Sequence, residues 1–409
     1  MQNFTPEIPE YLTPIMERLE ENGFEAYLVG GCVRDSVMGR VPSDYDLTTS
    51  ATPAEMCRIF ADFRLIETGL KHGTVTVCNE GEQIEITTYR IDGAYADNRH
   101  PESVSFTREL TEDLSRRDFT VNAMAYSPKR GLCDPFGGQA DIVRRTVACV
   151  GEPAQRFTED GLRIMRAVRF ASTLDFTIDE PTAAAARELA YLIRGISRER
   201  VNVEFSKLLC GVGAGRIISE FADVLTACVP ELPRCAFKEC ADVIHLLPAD
   251  PVVRIAYLAA ASDELDPKGR AACVMASLKS STADSRRCAA LAKECRAPLP
   301  HTESAVKHLM NRMEHENIVS YAAMHSVMSG TSSHEFLSLY ESLRKSDPCV
   351  SIKQLAINGS DVMMLSSRRG AEVGEALSYL LERVMDGETA NTREALTAEL
   401  LKLPAAEKP

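Results

Sequence analysis

No Cys-x-x-Cys pair occurs among the thirteen cysteines of this sequence, and their odd number is scattered along the chain. That pattern points to neither a disulfide framework nor a zinc site. Cys78 and Cys210 stand in apolar runs, where a free thiol acts as a small hydrophobe, so reduced thiols in a cytoplasmic protein are expected. The eight histidines show no metal-ligand spacing either. No apolar run approaches the ~18 residues of a membrane span. The first 25 residues carry Glu7, Glu10, Glu17, Glu20 and Glu21 and no apolar core of a signal peptide. Neither membrane insertion nor secretion is expected. There is no fixed-period repeat, and nothing is of low complexity beyond the polar last few residues.

Positive charge is in short supply. Against 59 Asp and Glu stand 46 Lys and Arg, a formal net charge of −13. Phosphate contacts need Lys and Arg, so bulk charge gives nucleic-acid binding no support. The deficit is uneven, however: residues 1–150 carry −9, residues 151–215 carry 0 and residues 216–409 carry −4. The middle segment is neutral yet rich in arginine. With 409 residues, 45% hydrophobic and 26% charged, the chain reads as a soluble protein of two to four domains.

Strand signals crowd the first 150 residues, at 75–78, 84–88 and 104–106, separated by Gly73, Gly81 and Gly93. A helix over 53–63 is expected behind Thr52 as N-cap, with Pro53 and Glu55 in its first turn. From Glu152 onward strand signals almost vanish. Helices are expected over 159–172, 180–193, 198–209, 215–227, 251–261, 286–295, 334–344 and 369–385. The fold class is therefore a multidomain one: an α+β head on a single mixed sheet, then an elongated all-α remainder.

The most informative stretch lies near the start. Tyr27-Leu28-Val29 reads as a buried strand that turns at Gly30-Gly31 into a helix beginning near Val33. Paired glycines let the backbone approach an anion, and a helix N-terminus offers N–H groups to phosphate. Arg34 and Asp35 follow, then Asp44-Tyr45-Asp46-Leu47, which alternates as a strand would and sets Asp44 and Asp46 on one face. Two carboxylates so placed repel unless a cation sits between them, which suits Mg²⁺ carrying a nucleoside triphosphate.

That stretch resembles the nucleotidyltransferase signature of the class II tRNA nucleotidyltransferase and bacterial poly(A) polymerase family. The head this implies is a DNA polymerase beta-like one. Further blocks carry the resemblance. Glu85, in Ile84-Glu85-Ile86-Thr87-Thr88, matches the family's acidic residue in a Glu-x-Thr-Thr context, which implies a third carboxylate near Asp44 and Asp46. Arg116-Arg117-Asp118-Phe119-Thr120-Val121-Asn122-Ala123 is similar to the block that contacts triphosphate and ribose, implying Arg117 for phosphate and Asp118 and Asn122 near the sugar. The run from Asp134 through Gly137-Gly138 to Asp141 resembles the structural junction between head and neck. Ser197-Arg198-Glu199-Arg200 continues the likeness in a helix that supports the base-reading one, with Ser197 as its N-cap.

Glu159-Asp160-Gly161-Leu162-Arg163-Ile164-Met165-Arg166-Ala167-Val168-Arg169-Phe170 matches the family motif over twelve positions without a gap. As one helix it would carry Asp160, Arg163, Arg166 and Arg169 on a polar face. Cytosine and adenine each present an amino donor beside a ring-nitrogen acceptor, whereas guanine and uracil present the opposite order. An acidic acceptor beside an arginine donor therefore accepts C and A. The resemblance assigns that task to Asp160 and Arg163, with Arg166 and Arg169 nearer the phosphates and Glu159 holding Arg163.

Taken whole, the resemblance implies an enzyme that adds the 3′-terminal CCA to tRNA from CTP and ATP with Mg²⁺. Its implied division is a head at 1–150, a neck at 151–215, a body at 216–350 and a tail at 351–409. Body and tail would bind the tRNA acceptor arm, in a monomer or homodimer. The alternatives are a poly(A) polymerase, a CC- or A-adding relative, or an inactive RNA-binding homologue. The loop over 93–111, with Arg99 and His100, has full length; a shortened one would favour a CC-only enzyme. No strongly basic C-terminal extension supports a poly(A) polymerase. No His-Asp dipeptide occurs, so the second hydrolase activity of some relatives is not expected where Val253 to Ala260 stand.

Overall fold

The computed structural model describes residues 6–93, 104–262 and 266–404, so Arg99 and His100 lie outside the described residues. The chain forms two compact units. One comprises Met1–Asp242 with Ser277–Ser280, the other Val243–Ala276 with Ser281–Pro409.

The first unit opens with β1 (Ala26–Val29), β2 (Asp46–Thr49), β3 (Arg64–Ile66), β4 (Thr74–Asn79) and β5 (Glu82–Thr88). After these come β6 (Arg90–Asp92), β7 (Val104–Phe106), β8 (Ala125–Ser127) and β9 (Gly131–Cys133). Seven of them make a mixed sheet in the order β3-β4-β5-β2-β1-β8-β9. Its one parallel pair is β2 with β5. A separate hairpin of β6 and β7, and a short parallel ladder between Thr146–Val147 and Thr177–Ile178, accompany it.

Every residue of β1 is buried, because side chains alternate between two cores. Ala26 and Leu28 face a large core with Leu47, Val75, Val77, Ile84 and Ile86, closed by Ile15, Leu19, Met56 and Phe60. Tyr27 and Val29 face a smaller one with Tyr89, Leu110 and Leu114. Each fully buried Leu, Ile or Phe contributes about 1.5–3 kcal/mol, which fixes the register. That register sets Val29 opposite Asp46. The residue that begins the acidic strand thus lies beside the last residue before Gly30.

The helix expected behind Thr52 forms, with a full capping box to Glu55, but it ends at Ile59. Other boundaries shift for local reasons. The helix after β1 begins at Gly31, not near Val33. The expected helix over 159–172 is broken at Asp160 into Pro153–Glu159 and Leu162–Leu174. The one over 215–227 divides at Phe221 into Ala214–Glu220 and Ala222–Cys228, and the one over 180–193 tightens into a 3₁₀ turn after Glu188. Arg198–Leu209 forms as expected, although Ser197 makes no side-chain cap bond.

In the second unit Pro251–Ala261 is capped by Asp250, which accepts from the backbone N–H of Val252 at 2.8 Å. Helices Arg234–Cys240, Glu303–Arg312 and His315–Ser329 were not expected; the first belongs to the first unit and the other two to the second. Near the C-terminus Leu355, Ile357 and Val362 pack with Leu377, Leu380, Leu381, Leu396 and Leu400. All thirteen cysteines are free, and burial pushes thiols such as Cys228 and Cys288 up to about 12. No helix among the described residues is long and apolar enough to cross a membrane.

Candidate active site

The acidic strand starts later than its pattern suggests: Asp44 precedes β2, and Asp46 is its first residue. Both carboxylates are solvent-accessible, and Ser43 donates to Asp44 at 2.9 Å. The parallel register pairs Leu47 with Ile86, so one step earlier Glu85 falls beside Asp46. The protein crowding around Asp46, with Asp44 and Glu85, raises its carboxyl above the usual range, against the opposing pull of Arg117. No group of three side chains with metal-ligand geometry occurs among the described residues.

At the turn only Gly30 takes a left-handed conformation, with φ +80°. A Cβ there would lie 3.1 Å from Arg117 Nη1, so Gly30 serves both the backbone angle and the close passage of that side chain. Arg34, in the helix that follows, is buried. It donates to Asp35 Oδ1 at 2.9 and 2.8 Å and to Asn122 Oδ1 at 2.7 Å. Its guanidinium carbon sits 5.3 Å from the Phe170 ring centre.

Asn122 in turn donates to Asp118 Oδ1 at 3.3 Å. Asp118 Oδ2 receives Arg166 Nε at 2.7 Å. Burial alone would raise the Asp118 carboxyl, but Arg166 and Asn122 outweigh it and hold it below its ordinary value. Arg169 donates to buried Glu204 at 2.8 Å and lies 3.4 Å over the Phe170 ring. The polar groups of Arg34, Asn122, Asp118, Arg166, Glu204 and Arg169 thus follow one another around Phe170. Arg117 stands apart from that chain. Burial weakens its hold on its proton, and its Nε has no hydrogen-bond partner.

At the break Asp160 is extended, and the next residue, Gly161, packs closely against a neighbour. A Cβ on Gly161 would lie 3.1 Å from both Cβ and O of Leu192, so a larger residue would make Leu192 give way by a few tenths of an ångström. Asp160 Oδ1 accepts from Leu162 N at 3.0 Å, and Oδ2 accepts from Arg200 Nη2 at 3.0 Å. Arg163 donates to Glu159 at 2.6 Å, to the carbonyl of Arg156 at 3.2 Å and to that of Arg116 at 3.1 Å. Glu159 therefore does hold Arg163, as the motif implied. Asp160 and Arg163 stand at the start of a helix rather than along the face of one, and their side chains go to different partners.

One residue of this site, Asp113, lies in none of the motif blocks read from the sequence, whereas Phe170, Arg200 and Glu204 lie in or just beyond them. Asp113, wholly buried, accepts from Arg116 Nε and Nη2 at 3.0 and 2.7 Å. Its spacing of three and four residues before Arg116 and Arg117 was the available clue.

A mixed sheet with an acidic pair at the start of a central strand, a glycine turn beside it and Arg117 close to both is the arrangement of a nucleotidyltransferase. The sequence matches the poly A polymerase head domain over residues 26–148 and a tRNA nucleotidyltransferase domain 2 over 257–400. Residues 175–224 match a segment described as an RNA- and SrmB-binding site of polymerase A. The CCA-adding enzyme of Geobacillus kaustophilus is 36% identical over 400 residues, 95% of either chain. That of Latilactobacillus sakei subsp. sakei is 36% identical over 421 residues, covering 97% of this chain and 98% of its own. The crystal structure of the Bacillus stearothermophilus CCA-adding enzyme in complex with CTP superposes with a TM-score of 0.82 at 31% identity. It covers 97% of this chain and 98% of that one. The chain belongs to the CCA-adding enzyme family.

Proposed function

We propose that this protein adds cytidine, cytidine and adenosine in turn to the 3′ end of tRNA, taking them from CTP and ATP without a nucleic-acid template. The observation that carries this reading is the bond from Arg163 to the carbonyl of Arg116, between a segment suited to reading a base edge and one suited to holding a triphosphate. In this reading residues 1–150 perform the chemistry and 151–215 select the base. Residues 216–350 and 351–409 bind the acceptor arm, by the shape and backbone contacts expected for duplex RNA.

The donor set fits Mg²⁺. Asp44 and Asp46 offer hard carboxylate oxygens, and Mg²⁺ commonly takes one or two carboxylates and leaves the remaining positions to phosphates and water. Burial first, then repulsion from Asp44 and Glu85, raises the Asp46 carboxyl, and a cation would relieve that repulsion. Bound there, the ion would neutralise charge on the reacting phosphates. The 3′-hydroxyl oxygen forms a bond to the α-phosphorus while the bond from that phosphorus to the bridging oxygen breaks, and pyrophosphate leaves. Glu85, beside Asp46, is placed to receive the hydroxyl proton. Gly30 and Gly31 let the phosphates approach the turn, Arg117 faces them, and Arg34, Asp118 and Asn122 define the wall near the ribose. Arg166 and Arg169 fix that wall from the helix side. Asp160 and Arg163 present acceptor and donor to the amino and ring-nitrogen groups shared by C and A. Positioning and charge neutralisation supply most of the acceleration in such transfers.

The test uses tRNA lacking its last three nucleotides, offered each NTP singly and then CTP with ATP. The reading requires two additions with CTP alone, a third only when ATP follows, and then arrest. Unlimited A addition would make this a poly(A) polymerase, CC without A a partial enzyme, and no incorporation an inactive RNA-binding homologue.

A further inference from the structure

Asp113 lies at a junction that the proposed reaction leaves without a role. It belongs to the short helix Leu110–Ser115 on the sheet face opposite the main core. Its Oδ1 accepts from Arg116 Nε and Nη2 at 3.0 and 2.7 Å and from the backbone N–H of Arg90 at 3.3 Å. Its Oδ2 faces Thr48 Oγ1 at 3.4 Å and Arg117 Nη2 at 3.6 Å. Thr48 is two residues from Asp46 on β2, and Arg90 opens the hairpin of β6 and β7. One wholly buried carboxylate thus touches the acidic strand, the base of the hairpin and both arginines of the segment 116–117.

The division of partners between its two oxygens matters. A buried carboxylate is seldom tolerated without cationic partners, and Arg116 already satisfies Oδ1. Oδ2 is left for Arg117, whose side chain passes over Gly30 and whose Nε has no partner of its own. A long arginine has many rotamers, and holding it beside the turn before any ligand arrives lowers the entropy cost of binding. We infer that Asp113 is a positioning residue that orients Arg117 toward the triphosphate, and so sets affinity for the pyrophosphate portion of substrate and product rather than the choice of base. This rests on the proposed role of Arg117.

Asp113→Asn isolates the effect. The amide oxygen keeps the side crowded with Arg116 and Arg90 donors, while the amide nitrogen turns toward Thr48, whose oxygen can accept it, and toward Arg117, which cannot. The carbonyl of Arg116, and with it Arg163, stays in place. Inhibition by added pyrophosphate and the KM for CTP should both weaken by about tenfold or more. The ratio of kcat/KM for CTP over UTP should stay within about twofold, and Asp113→Glu should restore part of the pyrophosphate affinity. Combined with Arg117→Ala, Asp113→Asn should add almost nothing, since the first change removes what it acts through.

An Asn variant of wild-type Tm with unchanged pyrophosphate inhibition would overturn the inference while leaving Arg117 standing, provided Arg117→Ala alone weakens that inhibition. If Arg117→Ala has no such effect, the phosphate role of Arg117 fails and this inference with it. Should the Asn variant not fold, Thr48→Val removes the hydroxyl beside the same carboxylate oxygen, together with its bond of 3.1 Å to the carbonyl of Thr87. It should raise the pyrophosphate inhibition constant two- to threefold, and an unchanged constant would overturn the inference equally.

Discussion

Asp160→Asn separates recognition of the base from support of the helix. Asp160 Oδ1 caps Leu162 N at 3.0 Å, and Oδ2 pairs with Arg200 at 3.0 Å. Asn and Asp cap equally well, so the first bond survives the exchange. The second becomes a donor facing a donor and costs about 1–2 kcal/mol. At about 2–4 °C per kcal/mol for a folding unit of this size, Tm should fall by a few degrees and no more.

The effect on nucleotide choice should be larger. A hydrogen-bonded pair to a base edge is worth about 1–3 kcal/mol of discrimination, and each 1.4 kcal/mol is about tenfold. With the acceptor replaced by an amide N–H, the amino group of cytosine loses its partner while O4 of uracil gains one. Arg163 still presents a donor to the ring N–H of uracil, so selectivity should relax rather than invert. The ratio of kcat/KM for CTP over UTP should drop ~10- to 100-fold, and that for ATP over GTP similarly. Single-nucleotide incorporation on tRNA lacking its terminal residues, with all four NTPs, gives both ratios. If all four rates fell together and the ratios held, Asp160 would be support for the helix and the base-reading argument would be wrong.

Asp46→Ala should reduce incorporation below detection while Tm moves little, because an accessible strand-end carboxylate is removed without opening a cavity; a variant with wild-type turnover in Mg²⁺ would contradict its role as ligand. Gly30→Ala combines strain at φ +80° with a contact of 3.1 Å to Arg117. It should cost about 1–2 kcal/mol of stability and raise the KM for both NTPs, which calorimetry and kinetics read separately. The Asp118 carboxyl is held below its ordinary value, so the stability it contributes is complete above the unfolded value of about 3.9 and is lost as pH falls through the folded one. Asp118→Asn should therefore flatten the decline of Tm below about pH 4, and an unaltered slope would mean that another group dominates there. Affinity for tRNA should fall at least about tenfold between 50 and 200 mM salt, since a few displaced counterions suffice; fluorescence titration showing a flat response would remove phosphate contacts as the basis of binding.

What could be read from the sequence was local. Strand β5 and helix Pro251–Ala261 are set by patterns inside their own windows, and Thr52 with Glu55 encodes its cap within four residues. The candidate site residues were legible as contiguous motifs. Their partners were not, because the partner is distant in the chain: Asp160 finds Arg200, Arg169 finds Glu204, and Asp113 joins Thr48 to Arg90. At the break before Leu162, Gly161 packs against Leu192 and Asp160 pairs with Arg200, contacts that no window around position 161 contains. Helix His315–Ser329 escaped notice for a different reason. It buries Ser320 along with Ile318, Tyr321, Ala322 and Met324, so its apolar stripe is blurred.

Net charge misled for a reason the ion pairs expose. Around the site Arg34 is held by Asp35, Arg116 by Asp113, Arg163 by Glu159, Arg166 by Asp118, Arg169 by Glu204 and Arg200 by Asp160. Each pair cancels in the sum, yet each leaves a guanidinium fixed in place, because several donors on one arginine outnumber the oxygens that engage it. Formal charge counts these arginines as neutralised, although their remaining N–H groups still attract an incoming anion. The buried Nε of Arg117 and Nη1 of Arg200 have no partner, so part of that capacity is unsatisfied within the protein itself. Carboxylates on this scale are therefore compatible with a phosphate-binding site and help to build one. They keep clustered guanidiniums from repelling one another apart, and they hold them ready at the cost of an acidic overall balance.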